Sequence, residues 1–303
     1  MSSQIQNLQA GDTVAIVSSA RKINKEELGF TVNKLESWGL KVVFGKNLFQ
    51  EENQFSGSVK QRTQDLQEVL DNKNIKAILF SRGGYGSVQI VDFIDWTSFQ
   101  KNPKWIIGFS DSTVFHSHIQ QNFSIPTLHA AMPITFANNT ESSLENLREV
   151  LFGAEISYQI NTHPLNRIGL RNAEIIGGNL SILYSLLGSE SQINTHGKIL
   201  FIEDLDEYLY HIDRMMQALK RAGMLENLAG LIIGGMSDMN DNTITFGKTA
   251  EEIIADTVSE YKYPVAFGFP AGHIDDNNPI VFGKKLRFEV NTKNTIITEC
   301  IFN

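Results

Sequence analysis

The strongest constraint on the fold is an alternation that runs through the first part of the chain. β-patterned apolar runs at residues 13–17, 41–44, 77–80 and 105–109 are each followed by a stretch with helical spacing, at 25–38, 59–70, 88–93 and 111–122. Gly39 stands where the first of these helices should close, as a C-cap. Strands that follow one another through short helical connections lie parallel, so the pattern predicts an α/β fold with a doubly wound parallel sheet. Ligands of such sheets bind beyond the C-terminal ends of the strands. The residues that end these strands are therefore the first place to look for chemistry.

The pattern changes after residue 136. Residues 137–170 hold Asn138-Asn139, a helix predicted at 142–151, Gly153 and a polar stretch to Arg167, and they read as a link. On this reading an N-terminal domain spans 1–136 and a smaller C-terminal domain spans 171–303. The second domain opens with Glu174-Ile175-Ile176-Gly177-Gly178-Asn179 and has helices predicted at 180–187 and 211–222. It ends in a β-patterned stretch at 280–302, which suggests a compact α+β or barrel-like unit. No internal repeat is visible. With 303 residues, one large domain or two of ordinary size is expected, and with 42% of them hydrophobic and 20% charged a sizeable core can be buried.

The net charge of −8 and the lack of a basic stripe argue against a nucleic-acid partner. The longest basic cluster, Lys284-Lys285-Leu286-Arg287, reads as the solvated edge of a strand. Cys300 is the only cysteine, so no intrachain disulfide is expected. The segment from Met1 to Gly11 lacks the layout of a signal peptide. No apolar run reaches the roughly 20 residues of a membrane span. The expected location is cytoplasmic, away from membranes.

Three segments carry chemistry. The first is Ile106-Ile107-Gly108-Phe109-Ser110-Asp111-Ser112, where an apolar strand runs into a serine and a helix begins at once. A serine at a tight strand-to-helix turn lifts its hydroxyl above the sheet, and the amide of Asp111 is then placed to bind an oxyanion. Gly108 would let another backbone pass close. Ser112 stands where a nucleophile elbow has its second glycine. Ser110 or Asp111 acting only as an N-cap is the alternative. The second segment, Ser81-Arg82-Gly83-Gly84-Tyr85-Gly86, offers amides to an anion or makes a plain turn. It has neither the dinucleotide spacing nor the P-loop lysine.

The third requirement is a base. Seven histidines are available. His116 and His118 lie two apart on a helix and face different ways, His129 follows a short strand, and His163, His196 and His211 sit in polar or helix-start contexts. His273 is singled out by Phe269-Pro270-Ala271-Gly272, a restricted loop after a strand. Its carboxylate partner is one of Glu203, Asp204, Asp206 or Glu207, which end the strand Ile199-Leu200-Phe201-Ile202; spacing does not choose among them. No metal-ligand spacing is present, so neither a metal nor another cofactor is expected. Cys300, in a terminal β segment, lacks the setting of a nucleophile. A non-catalytic module that holds a phosphorylated ligand is the rival class.

Taken in order, R-G-G-Y-G at 82–86, G-F-S-D at 108–111, G-G-N-L at 177–180, I-E-D with H-I-D-R-M at 202–215 and G-H at 272–273 resemble the LD-carboxypeptidase family. That family includes muramoyltetrapeptide carboxypeptidases and related microcin-immunity peptidases. The resemblance runs from Gly11 to the end. It implies a flavodoxin-like N-terminal domain, a smaller β-rich C-terminal domain, and a homodimer. It implies a triad of Ser110, Glu203 and His273, and an oxyanion hole from the amides of Gly84 and Asp111. Arg82, Tyr85 and Asn179 fall at substrate-binding positions. The implied substrate is a cytoplasmic murein tetrapeptide that loses its terminal D-alanine. R-G-G-Y-G looks more like the muropeptide branch than the microcin branch. Leu128-His129-Ala130-Ala131-Met132-Pro133 departs from the family's H-G-P, which leaves the role of His129 open.

Overall fold

The computed structural model describes residues 5–300. Met1 to Gln4, and Ile301 and Phe302 at the end of the β-patterned stretch, lie outside the described residues. The first half contains β1 (Thr13–Val17), α1 (Gly29–Ser37), β2 (Lys41–Phe44), α2 (Val59–Asp71), β3 (Ile75–Phe80), α3 (Thr97–Lys101), β4 (Trp105–Gly108), α4 (Thr113–Phe123), β5 (Thr127–His129) and α5 (Glu141–Leu151). The second half contains β6 (Ser157–Asn161), β7 (Gly169–Asn179), α6 (Leu180–Ser185), β8 (Ile199–Leu205), α7 (Leu209–Arg221), β9 (Gly230–Ser237), α8 (Ala250–Thr257), β10 (Val265–Ala266), β11 (Ile280–Phe282), β12 (Lys285–Val290) and β13 (Asn294–Glu299).

The first sheet has the order β2-β1-β3-β4-β5-β11. Its five N-terminal strands are parallel, as the alternation predicts. The sixth strand comes from the other half: β11 pairs antiparallel with β5, with Ile280 opposite His129. Val281 is buried in the same apolar cluster as Ile16, Phe80, Ile107 and Phe115. The β-patterned C-terminal stretch is thus shared between two sheets.

The second sheet has the order β10-β9-β8-β7-β12-β13-β6. β7 changes partner along its length, pairing antiparallel with β12 up to Glu174 and parallel with β8 from Ile175. β8 is buried on both faces, because Leu200 and Ile202 point to a core under α6–α8 while Ile199 and Phe201 point to a second core with Phe269, Phe282 and Phe288. On α7, Ile212, Met215, Met216 and Leu219 form the buried stripe of an amphipathic helix. On β12, Lys285 and Arg287 face outward while Leu286 is buried, as an alternating strand requires.

Local differences from the sequence expectation have physical causes. The stretch 88–93 is two 3-10 turns, Ser87–Gln89 and Val91–Phe93, not a helix. Gly86 at φ 152° breaks the entry, and the Ser87 amide is taken by the Asp111 carboxylate. Residues 137–170 contain α5, whose Leu144, Leu147, Val150 and Leu151 are buried in the first core, and β6, which pairs with β13. Among the described residues no helix is long and apolar enough to cross a membrane.

Candidate active site

The sequence places Ser110 at the end of β4, and the backbone there is unusual. Phe109 is extended, and Ser110 turns to φ 60°, a left-handed value that non-glycine residues seldom adopt. A 3-10 turn over Ser110–Ser112 then leads into α4. Strain of this kind persists where the surroundings fix it, and it clusters at functional sites. Here the fixing group is Asp111. Its buried carboxylate accepts the Ser87 amide at 2.8 Å, which ties the serine turn to the glycine-rich loop after β3. Burial pushes the Asp111 carboxyl above its ordinary value, while the Ser87 and Gly86 amides and the charge of Arg62 pull it back.

The glycine-rich loop lies directly on the hydroxyl. A Cβ added to Gly83 would stand 2.8 Å from Ser110 Oγ, so only glycine allows this approach. Gly84 has φ 111° and packs against the stem of Arg21. The loop is braced from below by Arg62, which is 2% exposed and donates to the carbonyls of Ser19 at 2.6 Å and Gly86 at 3.1 Å and to Gln89 Oε1 at 2.7 Å. The space at Gly108 is filled by the Ser112 side chain, not by another backbone.

The second half supplies an imidazole and a carboxylate. Glu203, fully buried on β8, receives His273 Nδ1 at 2.7 Å through Oε2 and also accepts the His273 amide at 3.2 Å. A Cβ on Gly272, which has φ 108°, would lie 2.6 Å from that carboxylate oxygen, so the glycine before His273 is what lets the loop settle on it. The imidazole packs on Phe109, with ring centroids 4.7 Å apart. Burial lowers the His273 pKa, but the charge and hydrogen bond of Glu203 outweigh it and the net shift is upward. Among the four acids left open by the sequence, Glu203 is the one on this ring. Asp204 faces the other way and accepts Asn179 Nδ2, the Ser181 amide and the Leu205 amide. Burial, then the charge of Glu203, raises it to about 7.

The halves meet at these groups. Thr113, at the start of α4, accepts the Asn179 amide at 3.0 Å, and any Cβ on Gly178 would collide with Thr113. Ser110 and His273 line one cleft of about 490 Å³, together with Arg21, Arg82, Gly83, Gly84, Asn179, Asp204, Asp206 and Glu207. Among the described residues no hydrogen bond joins the Ser110 hydroxyl to the imidazole; such contacts commonly tighten when substrate binds. Arg82 donates to the Lys22 carbonyl at 3.2 Å. Asn179 uses its side chain on Asp204, Ser181 and the first turn of α6. Tyr85 is exposed against Phe55 and is not part of the cleft lining.

His129 is fully buried behind Phe109, with Phe201 and Phe282 on its other sides. Burial, with His116 and His273 nearby, holds it well below its ordinary pKa. His116 is also buried, with Nε2 on the Gly108 carbonyl at 2.8 Å. Among the described residues no cluster of three or more His, Cys, Asp or Glu is arranged for a metal ion. Arg62 escaped the sequence reading, although a charge on the face of α2 that carries Leu66, Val69 and Leu70 was its signal.

A hydroxyl on a strained strand-to-helix turn, a glycine loop above it and a carboxylate-bound imidazole from a second domain are the parts of a serine-type hydrolase. Residues 14–130 match the LD-carboxypeptidase N-terminal domain, and residues 172–288 match the C-terminal domain. The chain is 31% identical to the probable murein peptide carboxypeptidase of Bacillus subtilis over 96% of its own length and 92% of that protein. It is 26% identical to the microcin C7 self-immunity protein of Escherichia coli, over 96% of this chain and 94% of that one. Its fold is shared with the crystal structure of muramoyltetrapeptide carboxypeptidase from Oxalobacter formigenes, with TM-score 0.87, 22% identity and coverage of 96% and 100%. The chain therefore belongs to the LD-carboxypeptidase family.

Proposed function

We propose that this protein is a serine carboxypeptidase that removes the terminal D-alanine of a murein tetrapeptide through an acyl-enzyme. His273 takes the proton of Ser110 as the hydroxyl attacks the scissile carbonyl, and Glu203 stabilises the imidazolium and fixes its tautomer. The amides of Gly84 and Asp111 hold the oxyanion. Collapse breaks the C–N bond, and His273 returns the proton to the departing D-alanine nitrogen. Water, deprotonated by the same imidazole, then hydrolyses the ester and restores Ser110. Arg82 suits the carboxylate of the leaving residue.

The observation that carries this reading is the 2.7 Å bond from Glu203 to an imidazole that shares one cleft with Ser110. The B. subtilis relative supports the murein substrate. The expected setting is the cytoplasm and the expected assembly a homodimer. Incubation with murein tetrapeptide, followed by mass analysis, should show tripeptide and free D-alanine; intact tetrapeptide after long incubation would reject the substrate. A second reading, cleavage of a peptide-nucleotide antibiotic, is favoured by the likeness to the microcin C7 protein. Turnover of an aminoacyl sulfamoyl adenosine without turnover of tetrapeptide would decide for it.

A further inference from the structure

The glycine-rich loop after β3 has few bonds of its own. Ser81 anchors its entry, where the Ser81 amide donates to the Val17 carbonyl at 2.7 Å and the Ser81 carbonyl accepts the Ile134 amide at 3.0 Å. From Arg82 to Tyr85 the backbone forms no hydrogen bond among the described residues. The place of Gly84 over Ser110 therefore depends on what holds the exit. The exit is one peptide unit, Gly86–Ser87, gripped at both ends. Its carbonyl accepts Arg62 Nη1 at 3.1 Å, and its amide donates to Asp111 Oδ2 at 2.8 Å. Both side chains are buried and carry opposite charge. Among the described residues they form no direct ion pair; the peptide links them. The Ser87 hydroxyl adds a bond to Ser19 Oγ at 2.7 Å.

Arg62 is held there against its own hydration. It lies on the face of α2 that carries Leu66, Val69 and Leu70. It is 2% exposed, its guanidinium stands over the Phe55 ring at 4.8 Å, and its Nε has no partner. Burial lowers its pKa against the opposing charges of Asp111 and Glu52. An apolar side chain of similar volume would fill such a place without that desolvation cost. Arg62 lines no part of the cleft, so it meets no substrate. Its remaining bonds, to the Ser19 carbonyl at 2.6 Å and Gln89 Oε1 at 2.7 Å, fix the plane of the guanidinium. We infer that Arg62 is a positioning residue: with Asp111 it clamps the Gly86–Ser87 peptide and so sets the spacing of the two oxyanion donors, the amides of Gly84 and Asp111. Asp111 enters twice, because its amide is one donor and its carboxylate holds the loop that carries the other. The inference rests on the serine mechanism proposed above.

The test measures two quantities in Arg62→Met, Arg62→Lys and Gln89→Leu. One is the rate constant for labelling Ser110 with a serine-directed phosphonate, and the other is D-alanine release from murein tetrapeptide per labelled site. Neither depends on the fraction of protein that is folded, so a merely structural role would move neither. Losing an oxyanion donor outright costs about 100- to 1000-fold. Displacing one in Arg62→Met should slow both quantities by about 100-fold, with KM within about threefold of native. Arg62→Lys, which keeps the charge and one donor group, should recover at least about fivefold of that loss. Gln89→Leu changes a half-buried side chain that touches only the guanidinium, and it should slow both by about threefold to tenfold; it decides the matter if Arg62→Met does not fold. Native rate constants in the folded variants, or a rise in KM with kcat unchanged, overturn the inference and leave the carboxypeptidase reading standing. A native protein that is labelled but releases no D-alanine overturns that reading alone, and the labelling rates still test the clamp. A native protein that is not labelled overturns both.

Discussion

Ser110 stands at φ 60° and His273 rests on a buried carboxylate, and neither is an ordinary surface setting. The sequence marked both, because one ends a strand and the other follows Pro270 and Gly272. It could not choose the acid, since Glu203 and Asp204 end β8, Asp206 and Glu207 follow it, and spacing does not tell their side-chain directions apart. The burial of His129 without a hydrogen-bond partner among the described residues was also invisible, because it depends on Phe109, Phe201 and Phe282 closing round it from distant segments. Glu203 raises the His273 pKa against the pull of burial, so a definite pH effect follows. On the proposed mechanism His273 acts as a base when neutral, and kcat/KM should rise with pH through a value above the ordinary 6.5. In Glu203→Gln the charge is gone and burial prevails, so the acid limb should move to lower pH while the plateau falls by at least about 100-fold. An unmoved limb would show that Glu203 does not govern the imidazole. The raised pKa also means that His273 contributes stability that is full below about 6.5 and lost as pH rises through the folded value.

Among the elements, the parallel strands β1–β4 were legible because apolar runs and helical spacing alternate cleanly. The glycine-rich loop was legible as a loop but not in its attachments. Its contacts with Asp111 and with Arg62, on the buried side of α2, each span 24 residues of sequence, and no local pattern records them. The Gly83 contact with Ser110 predicts a separation of stability from activity. Gly83→Ala should lose stability only through the contact of its methyl with the Ser110 side chain, and less than Gly178→Ala, since its backbone is not in the left-handed region. Turnover should fall by about 100-fold or more, because the new methyl crowds the hydroxyl and its Cβ. Gly178→Ala should instead lose about 2–4 kcal/mol, because φ is 142° and Thr113 blocks the methyl. Thermal melts read beside D-alanine release distinguish the two. Full activity in Gly83→Ala would mean that the loop does not confine Ser110 as drawn.

At the scale of the molecule, two sheets are joined by a chain that crosses between them three times. Residues 137–170 lead from α5 in the first core to β6 in the second sheet, β11 returns to complete the first, and β12 goes back to the second. Periodicity reports strands but not which sheet receives them, so the β-patterned C-terminus could be read only as one unit. Phe282 on β11 is fully buried against His116, His129 and Phe201. Phe282→Ala should cost about 3–5 kcal/mol, and calorimetry should show both halves melting in one transition. Two transitions in the native protein would mean that β11 does not couple them. The halves must hold together because the hydroxyl comes from one and the imidazole from the other. That convergence is tested most directly by mass spectrometry after reaction with a serine-directed phosphonate. The expected result is one covalent adduct, on Ser110, lost in Ser110→Ala and in folded His273→Ala. Labelling of another residue, or undiminished labelling of Ser110 without the imidazole, would contradict it.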